Sequence, residues 1–345
     1  MSVLSNSFHM THFLERLDQL QSVVLYLSEK NEFVKLKEEL DVQVRQEFDD
    51  FEIQPQQQSL IYRFIIDVDL SALLEKNAPL GNTVLLSALE GTNLFQEVLF
   101  GHCRANELLP PDVTSSQIFT KLQVTNFPVI LHHLQVERVS DLTKFLDYPG
   151  FVRLVGITTG VSGPAKYTHL KVYTITQNVC PEEECEGHYG NRYIRTHVPG
   201  ASETQIIRSD FRCRLCGEVL EEVTASRILS DKVVAELVPV RLCGPAQREV
   251  LGEGRLQAVP VFVRDNLVEK VELGRMYEVI GICRSDVQGG TISIALEANN
   301  ISEMEKVKIS SVDLLPKSVR DAYKGYTEFV HLFHVILACL VITAK

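Results

Sequence analysis

Gly150-Phe-Val-Arg-Leu-Val-Gly-Ile-Thr158 is the stretch at which the chain changes its grammar. From Tyr148 onward, short β-rich runs follow one another with Gly or Pro between them: Phe151 to Thr158, Thr168 to Thr176, Lys232 to Arg241, Ala258 to Val263, Met276 to Cys283 and Thr291 to Leu296. Five or six strands at this spacing predict a small closed barrel. An OB-fold is the natural candidate, because its five-stranded barrel tolerates long insertions between strands. Upstream the periodicity is helical. Phe13, Leu14, Leu17, Leu20, Val24 and Leu27, then Phe33, Leu36, Leu40 and Val44, fall at three- and four-residue spacing and predict two amphipathic helices. Ile61 to Asp67 is strand-like, and Leu80 to Phe100 returns to helical spacing, with an interruption expected near Gly91. The expected fold class is α+β: a mostly helical subdomain over 1–140, an OB-fold barrel over 141–305 with an insertion at about 172–224, and a linker over 306–345 leading into the start of something else.

The chain has 345 residues, 45% of them apolar and 8% aromatic, enough to build two or three cores. Its first thirty residues hold Glu15, Asp18 and Glu29 and no basic n-region or cleavage site, so no signal peptide is expected and the cytosol or nucleus is. Phe329 to Ile342 is apolar but only fourteen residues long and contains His331 and His334, the pattern of a buried helix; no membrane span is expected. The net charge of −11 is unusual for a nucleic-acid binder, so its distribution matters more than its sum. Residues 1–150 hold 11 Lys+Arg against 21 Asp+Glu, residues 151–310 hold 19 against 21, and residues 311–345 hold 4 against 3. The acidity is N-terminal.

Of eight cysteines, four are grouped. Cys180-Pro-Glu-Glu-Glu-Cys185 and Cys213-Arg-Leu-Cys216-Gly217 are two pairs with twenty-seven residues between them, a spacing that predicts a zinc site in an intracellular chain. Four thiolates saturate Zn²⁺ in a tetrahedron and leave no position for water, so the expected metal is structural and not catalytic. His188, three residues after Cys185, is an alternative fourth ligand. Cys103, Cys243, Cys283 and Cys339 stand alone among apolar neighbours and read as small buried hydrophobes.

Around the second pair lie Arg192, Arg195, His197, Arg208, Arg212 and Arg214, opposed only by Glu203 and Asp210. Arginine forks onto phosphate, and Tyr193 or Phe211 beside it can stack a base; a solvated structural surface reads equally well from the same residues. Arg241, Arg248 and Arg255 bracket the glycine-punctuated segment Cys243 to Gly254, a candidate projecting hairpin weakened by Glu249 and Glu253. Within these residues there is no G-x-x-x-x-G-K-[ST], H-E-x-x-H, G-x-S-x-G or G-x-G-x-x-G, so no enzyme and no small-molecule substrate is expected.

The order of parts, a helical unit, then Gly150 to Thr158, a cysteine-pair insertion, and Leu267-Val-Glu-Lys-Val-Glu-Leu-Gly-Arg-Met-Tyr-Glu-Val-Ile-Gly-Ile282, resembles the N-terminal half of a minichromosome maintenance (MCM) protein over roughly residues 60–305. Tyr193-Ile-Arg-Thr-His-Val-Pro-Gly-Ala201 and Ile207-Arg-Ser-Asp-Phe-Arg-Cys-Arg-Leu-Cys216 narrow the resemblance to the divergent meiotic branch of that family. The resemblance implies a helical subdomain, a zinc-binding subdomain and an OB-fold that packs around single-stranded or duplex DNA, with ATP hydrolysis in a C-terminal AAA+ domain. The chain ends where that domain would start, so it resembles a truncated or alternatively spliced product. The resemblance further implies a nuclear role in meiotic homologous recombination and double-strand-break repair, and other MCM-like proteins as partners. Two family signatures are altered: a Gln-Glu pair at the end of the strand matching Val233 to Val240, and a Pro-Gly-Asp in place of Leu273-Gly274-Arg275, of which Gly274 alone survives. Hexamer formation and DNA threading are therefore not expected to carry over unchanged, and a scaffold that pairs with MCM-like subunits without binding DNA is the alternative.

Overall fold

The computed structural model describes residues 2–53, 61–110, 113–174, 193–200, 212–213, 216–240, 257–288 and 291–304. Two helices open it, α1 (Ser2–Glu29) and α2 (Glu32–Ile53), turning at Asn31 in the left-handed region (φ 56°). Strand β1 (Tyr62–Asp69) follows, its alternate residues Tyr62, Phe64, Ile66 and Val68 buried. Its last residue, Asp69, accepts a hydrogen bond from Ala72 N–H (2.9 Å) and caps α3 (Leu70–Lys76); Asn77 does the same from Leu80 N–H (3.0 Å) for α4 (Ala78–Leu86). After α5 (Ala88–Ala105) the chain enters β2 (Ile118–Thr125), which lies parallel to β1, so the three helices form one crossover.

The expected break near Gly91 falls instead at Ser87, between α4 and α5. Gly91 is inside α5, where a Cβ would stand 3.0 Å from the Cα of Val84. The glycine lets two helices approach; it does not end one. Strand β2 was not among the expected strands, although Ile118, Leu122 and Val124 alternate with Phe119, Lys121 and Gln123 along it.

A two-stranded parallel sheet is marginal alone and has two bare edges. Here side-chain amides close both. Gln43 of α2 donates to Arg63 C=O (2.9 Å) and accepts from Arg63 N–H (3.0 Å) at the β1 edge. At the β2 edge Asn299 accepts from Val124 N–H (2.8 Å) and donates to Leu122 C=O (2.7 Å), while Asn300 donates to Val124 C=O (2.9 Å).

After a short strand β3 (Gln135–Val136) comes the larger sheet, with β4 (Val152–Val161), β5 (Ala165–Thr174), β6 (Tyr193–Thr196), β7 (Glu221–Glu222), β8 (Ile228–Pro239), β9 (Val259–Arg264), β10 (Met276–Gln288) and β11 (Thr291–Glu303). Five of these strands close on themselves: β4 pairs β8, β8 pairs β9, β9 pairs β11 in parallel, β11 pairs β10, and β10 returns to β4. This is the strand order of an OB barrel. The inward residues Val152, Leu154, Ala235, Val261, Val279 and Leu296 are all at 0% exposure. Gly281 is required where β10 meets β11, because a Cβ there would overlap the Glu297 carbonyl. Between the first two barrel strands the chain leaves along β5, which pairs with β8, β6 and β7. The insertion is thus an extension of the barrel wall.

Candidate metal centre and nucleic-acid interface

The second cysteine pair sits on a tight turn at the far end of this insertion. Arg212 and Val219 face each other across a β-bridge, Cys213 N–H donates to Glu218 C=O (2.8 Å), and Gly217 N–H donates back to Cys213 C=O (3.0 Å). Gly217 has φ +76°, a conformation that a side chain would strain, which accounts for a glycine directly after Cys216. Cys213 is buried and Cys216 half-buried. Two sulfur-bearing residues on one hydrogen-bonded turn fit one half of a four-thiolate centre. The other half, Cys180 and Cys185, lies outside the described residues, as does His188. Among the described residues no group of three His, Cys, Asp or Glu side chains is placed to hold a metal. The lone cysteines Cys103 and Cys283 behave differently: both are buried, and burial pushes each thiol up to about 11.

Of the arginines read as a phosphate surface, Arg212 is exposed and donates to Gly217 C=O (3.0 Å), so its guanidinium braces the cysteine turn. Arg195 lies in β6 opposite Lys171. Arg192, Arg208, Arg214, Arg241, Arg248 and Arg255, and the segment Cys243 to Gly254, lie outside the described residues. His197 is not part of an outer basic surface: it is 4% exposed, with Nδ1 3.6 Å from Glu297 Oε1. The Val-Pro-Gly turn that follows folds its histidine inward. On the described barrel wall the cations are largely engaged: Lys166 with Asp231 (2.6 Å), Lys171 (2.5 Å) and Arg227 (2.7 Å) with Glu222, Arg153 with Glu278 (2.5 Å), and Arg275 with Glu303 (3.1 Å).

Reading along the sequence missed the polar centre where insertion and barrel meet. Glu297 on β11 is 3% exposed; it accepts from Arg264 Nε (3.1 Å), from Arg284 Nη1 (3.4 Å) and from Gly200 N–H (3.1 Å). The guanidiniums lie over aromatic rings, Arg264 4.3 Å from the Tyr167 centroid and Arg284 4.3 Å from that of Phe262. Burial pushes the Glu297 carboxyl up, and the two guanidiniums and the Gly200 N–H pull it back. Gly200 has φ +83°, with Ile282 Cγ2 2.9 Å from where its Cβ would be. Beside this triad Tyr167 Oη donates to Asp265 (2.9 Å), which also accepts from Ser230 Oγ (2.5 Å). The one available signal was a charged residue directly beside an apolar run in each of three strands, at 264, 284 and 297.

Residues 19–127, which contain the crossover and its two-stranded sheet, match the family model described as "MCMDC2, N-terminal domain". Over these residues the chain is similar to that domain family. The chain is 32% identical over 248 residues to minichromosome maintenance domain-containing protein 2 of Mus musculus and 32% identical over 246 residues to that of Homo sapiens, in each case 70% of this chain and 34% of the relative. The chain thus spans about a third of the length of the curated relatives it matches. Among solved structures, the crystal structure of the N-terminal domain of an archaeal MCM superposes with a TM-score of 0.55 at 11% identity, covering 84% of this chain and 100% of that one. At that identity the likeness is one of fold: the helical crossover and the barrel follow one another as they do in that structure.

Proposed function

We propose that this chain is a non-catalytic, nuclear, DNA-associated module of the MCM type, acting in meiotic homologous recombination and double-strand-break repair. The observation that carries the reading is the closed five-stranded barrel with an insertion between its first two strands, reached through an MCMDC2 N-terminal domain. In this reading Cys180, Cys185, Cys213 and Cys216 hold one structural Zn²⁺, which fixes the tip of the insertion by cross-linking two turns. The chain's own contribution is the hydrogen-bonded turn from Arg212 to Val219 that holds two of the thiols together. DNA is met by the arginines of the insertion and of the segment bounded by Arg241 and Arg255, because most of the described barrel cations are already matched by carboxylates. No step of catalysis is assigned to any residue, and the meiotic role rests on the family resemblance.

Titration of the full chain with labelled single-stranded and duplex DNA tests this. Affinity should fall by about 10³ between roughly 50 and 200 mM salt if six or more phosphates are contacted. Replacing Arg248 and Arg255 should flatten that slope, and Cys213→Ser should remove one equivalent of zinc measured by metal analysis. No binding at low salt would leave the second reading, a scaffold that pairs with other MCM-like subunits. The N-terminal acidity and the engaged barrel cations favour that second reading, and co-sedimentation with those subunits would distinguish it.

A further inference from the structure

Helix α1 has two apolar faces, and the subdomain uses one. Val23 and Leu27 are fully buried and Tyr26 packs edge-on against Phe95 with centroids 5.9 Å apart. Arg16 pairs with Glu97 (2.6 Å), Gln19 donates to Thr83 (3.1 Å), and Glu29 pairs with Lys76 (2.8 Å). These contacts run from Arg16 to Glu29 and fix the rotation of that half of the helix. With the rotation fixed, Leu14, Leu17, Val24 and Leu25 must point to solvent, and they are 56%, 45%, 42% and 57% exposed.

These residues are not scattered. Leu14, Leu17, Gln21, Val24 and Ser28 succeed one another at steps of three, four, three and four, the spacing of a coiled-coil seam, and Leu25 widens it on one side. An exposed stripe of this kind marks an interaction surface more often than a solvated one. Its charge selects the partner. Glu15 and Asp18 are exposed next to the seam and form no ion pair among the described residues, while the single cation between Leu14 and Glu29, Arg16, is turned away to Glu97. A second copy laid on this seam would bring acid and no base.

We infer that this face of α1 is a docking seam for an amphipathic helix of another protein, one whose apolar stripe is flanked by lysine or arginine. The inference rests on the geometry of α1 and is independent of whether the barrel binds DNA.

The test uses the full chain and a fluorescent synthetic helix of four heptads with Leu on its seam and Lys on both flanks, beside the same helix with Glu on the flanks. Anisotropy should show saturable binding of the Lys helix, at least tenfold weaker for the Glu helix, for Leu14→Gln/Leu17→Gln and for Asp18→Lys. Thermal unfolding of these variants should stay at the wild-type midpoint, since the replaced side chains are exposed. Equal binding of the two helices, no binding of either, or binding unchanged in Leu14→Gln/Leu17→Gln overturns the proposal. A concentration-dependent dimer of the unmodified chain that Leu14→Gln/Leu17→Gln abolishes also overturns it, by giving the seam to a second copy. So does Lys-helix binding that appears only after removal of residues 305–345, which would give it to the chain's own C-terminal segment.

Discussion

His169 stands on β5 with its ring edge-on to Phe119 and Nδ1 3.1 Å from Tyr167 Oη, and its Nε2 is buried with no hydrogen-bond partner among the described residues. Burial pushes its pKa down to about 4; Arg63, Lys121 and Arg264 act in the same direction, and Asp265 opposes them. The unfolded histidine titrates near 6.5, so the fold holds the neutral form. The stability this contributes is complete above about pH 6.5 and is lost as pH falls toward 4, on the order of 3 kcal/mol in all. Urea unfolding at pH 7.5 and 4.5 should therefore show a smaller acid loss in His169→Gln than in the unmodified chain; parallel losses would refute the assignment. Glu297 is the opposite case, a carboxylate that two buried guanidiniums require. Glu297→Gln keeps an acceptor for the Gly200 N–H but removes the carboxylate charge that Arg264 and Arg284 share, and should cost about 3–5 kcal/mol by equilibrium denaturation at pH 7.

At the scale of elements, the decisive arrangement is the pair of amides at the β2 edge. Asn299 occupies the bulge where the β10–β11 register shifts between Ile280 and Gly281, and the extra residue is what turns its side chain out of the barrel toward β2. Asn299→Leu conserves volume but strands Leu122 C=O and Val124 N–H in a buried seam; the expected loss is about 3 kcal/mol, read as a lower urea midpoint with unchanged slope. A change in slope would mean that the subdomain had come off the barrel. Nothing in Ala295 to Ile301 announces this bulge, because register depends on the partner strand. The barrel strands themselves were legible, since Val233 to Val240 and Met276 to Cys283 are β-branched, mostly apolar runs broken only by single glutamates, Glu236 and Glu278. Strand β2 was legible too, through its alternation, and was overlooked among helices. Gly91 misled because one residue type serves both helix ends and close helix packing. The cysteine turn was readable from local spacing, whereas the Glu297 centre joins residues as distant in sequence as Gly200 and Glu297, 97 positions apart.

For the whole molecule, three parts converge on one strand: β11 closes the barrel, caps the two-stranded sheet through Asn299 and Asn300, and holds the end of the insertion through Glu297. The bonds from Asn299 reach back 175 and 177 positions. During synthesis the polar seams of the earlier parts can therefore close only once β11 has been made. Such long-range closure predicts slow refolding and a late step shared by all three parts. A nascent chain arrested before residue 297 should be digested by protease throughout, and one released after residue 304 should resist as a unit; pulse proteolysis of stalled chains would show it. The strand that reads as the end of a barrel is, in the life of the polypeptide, the event that makes it a protein.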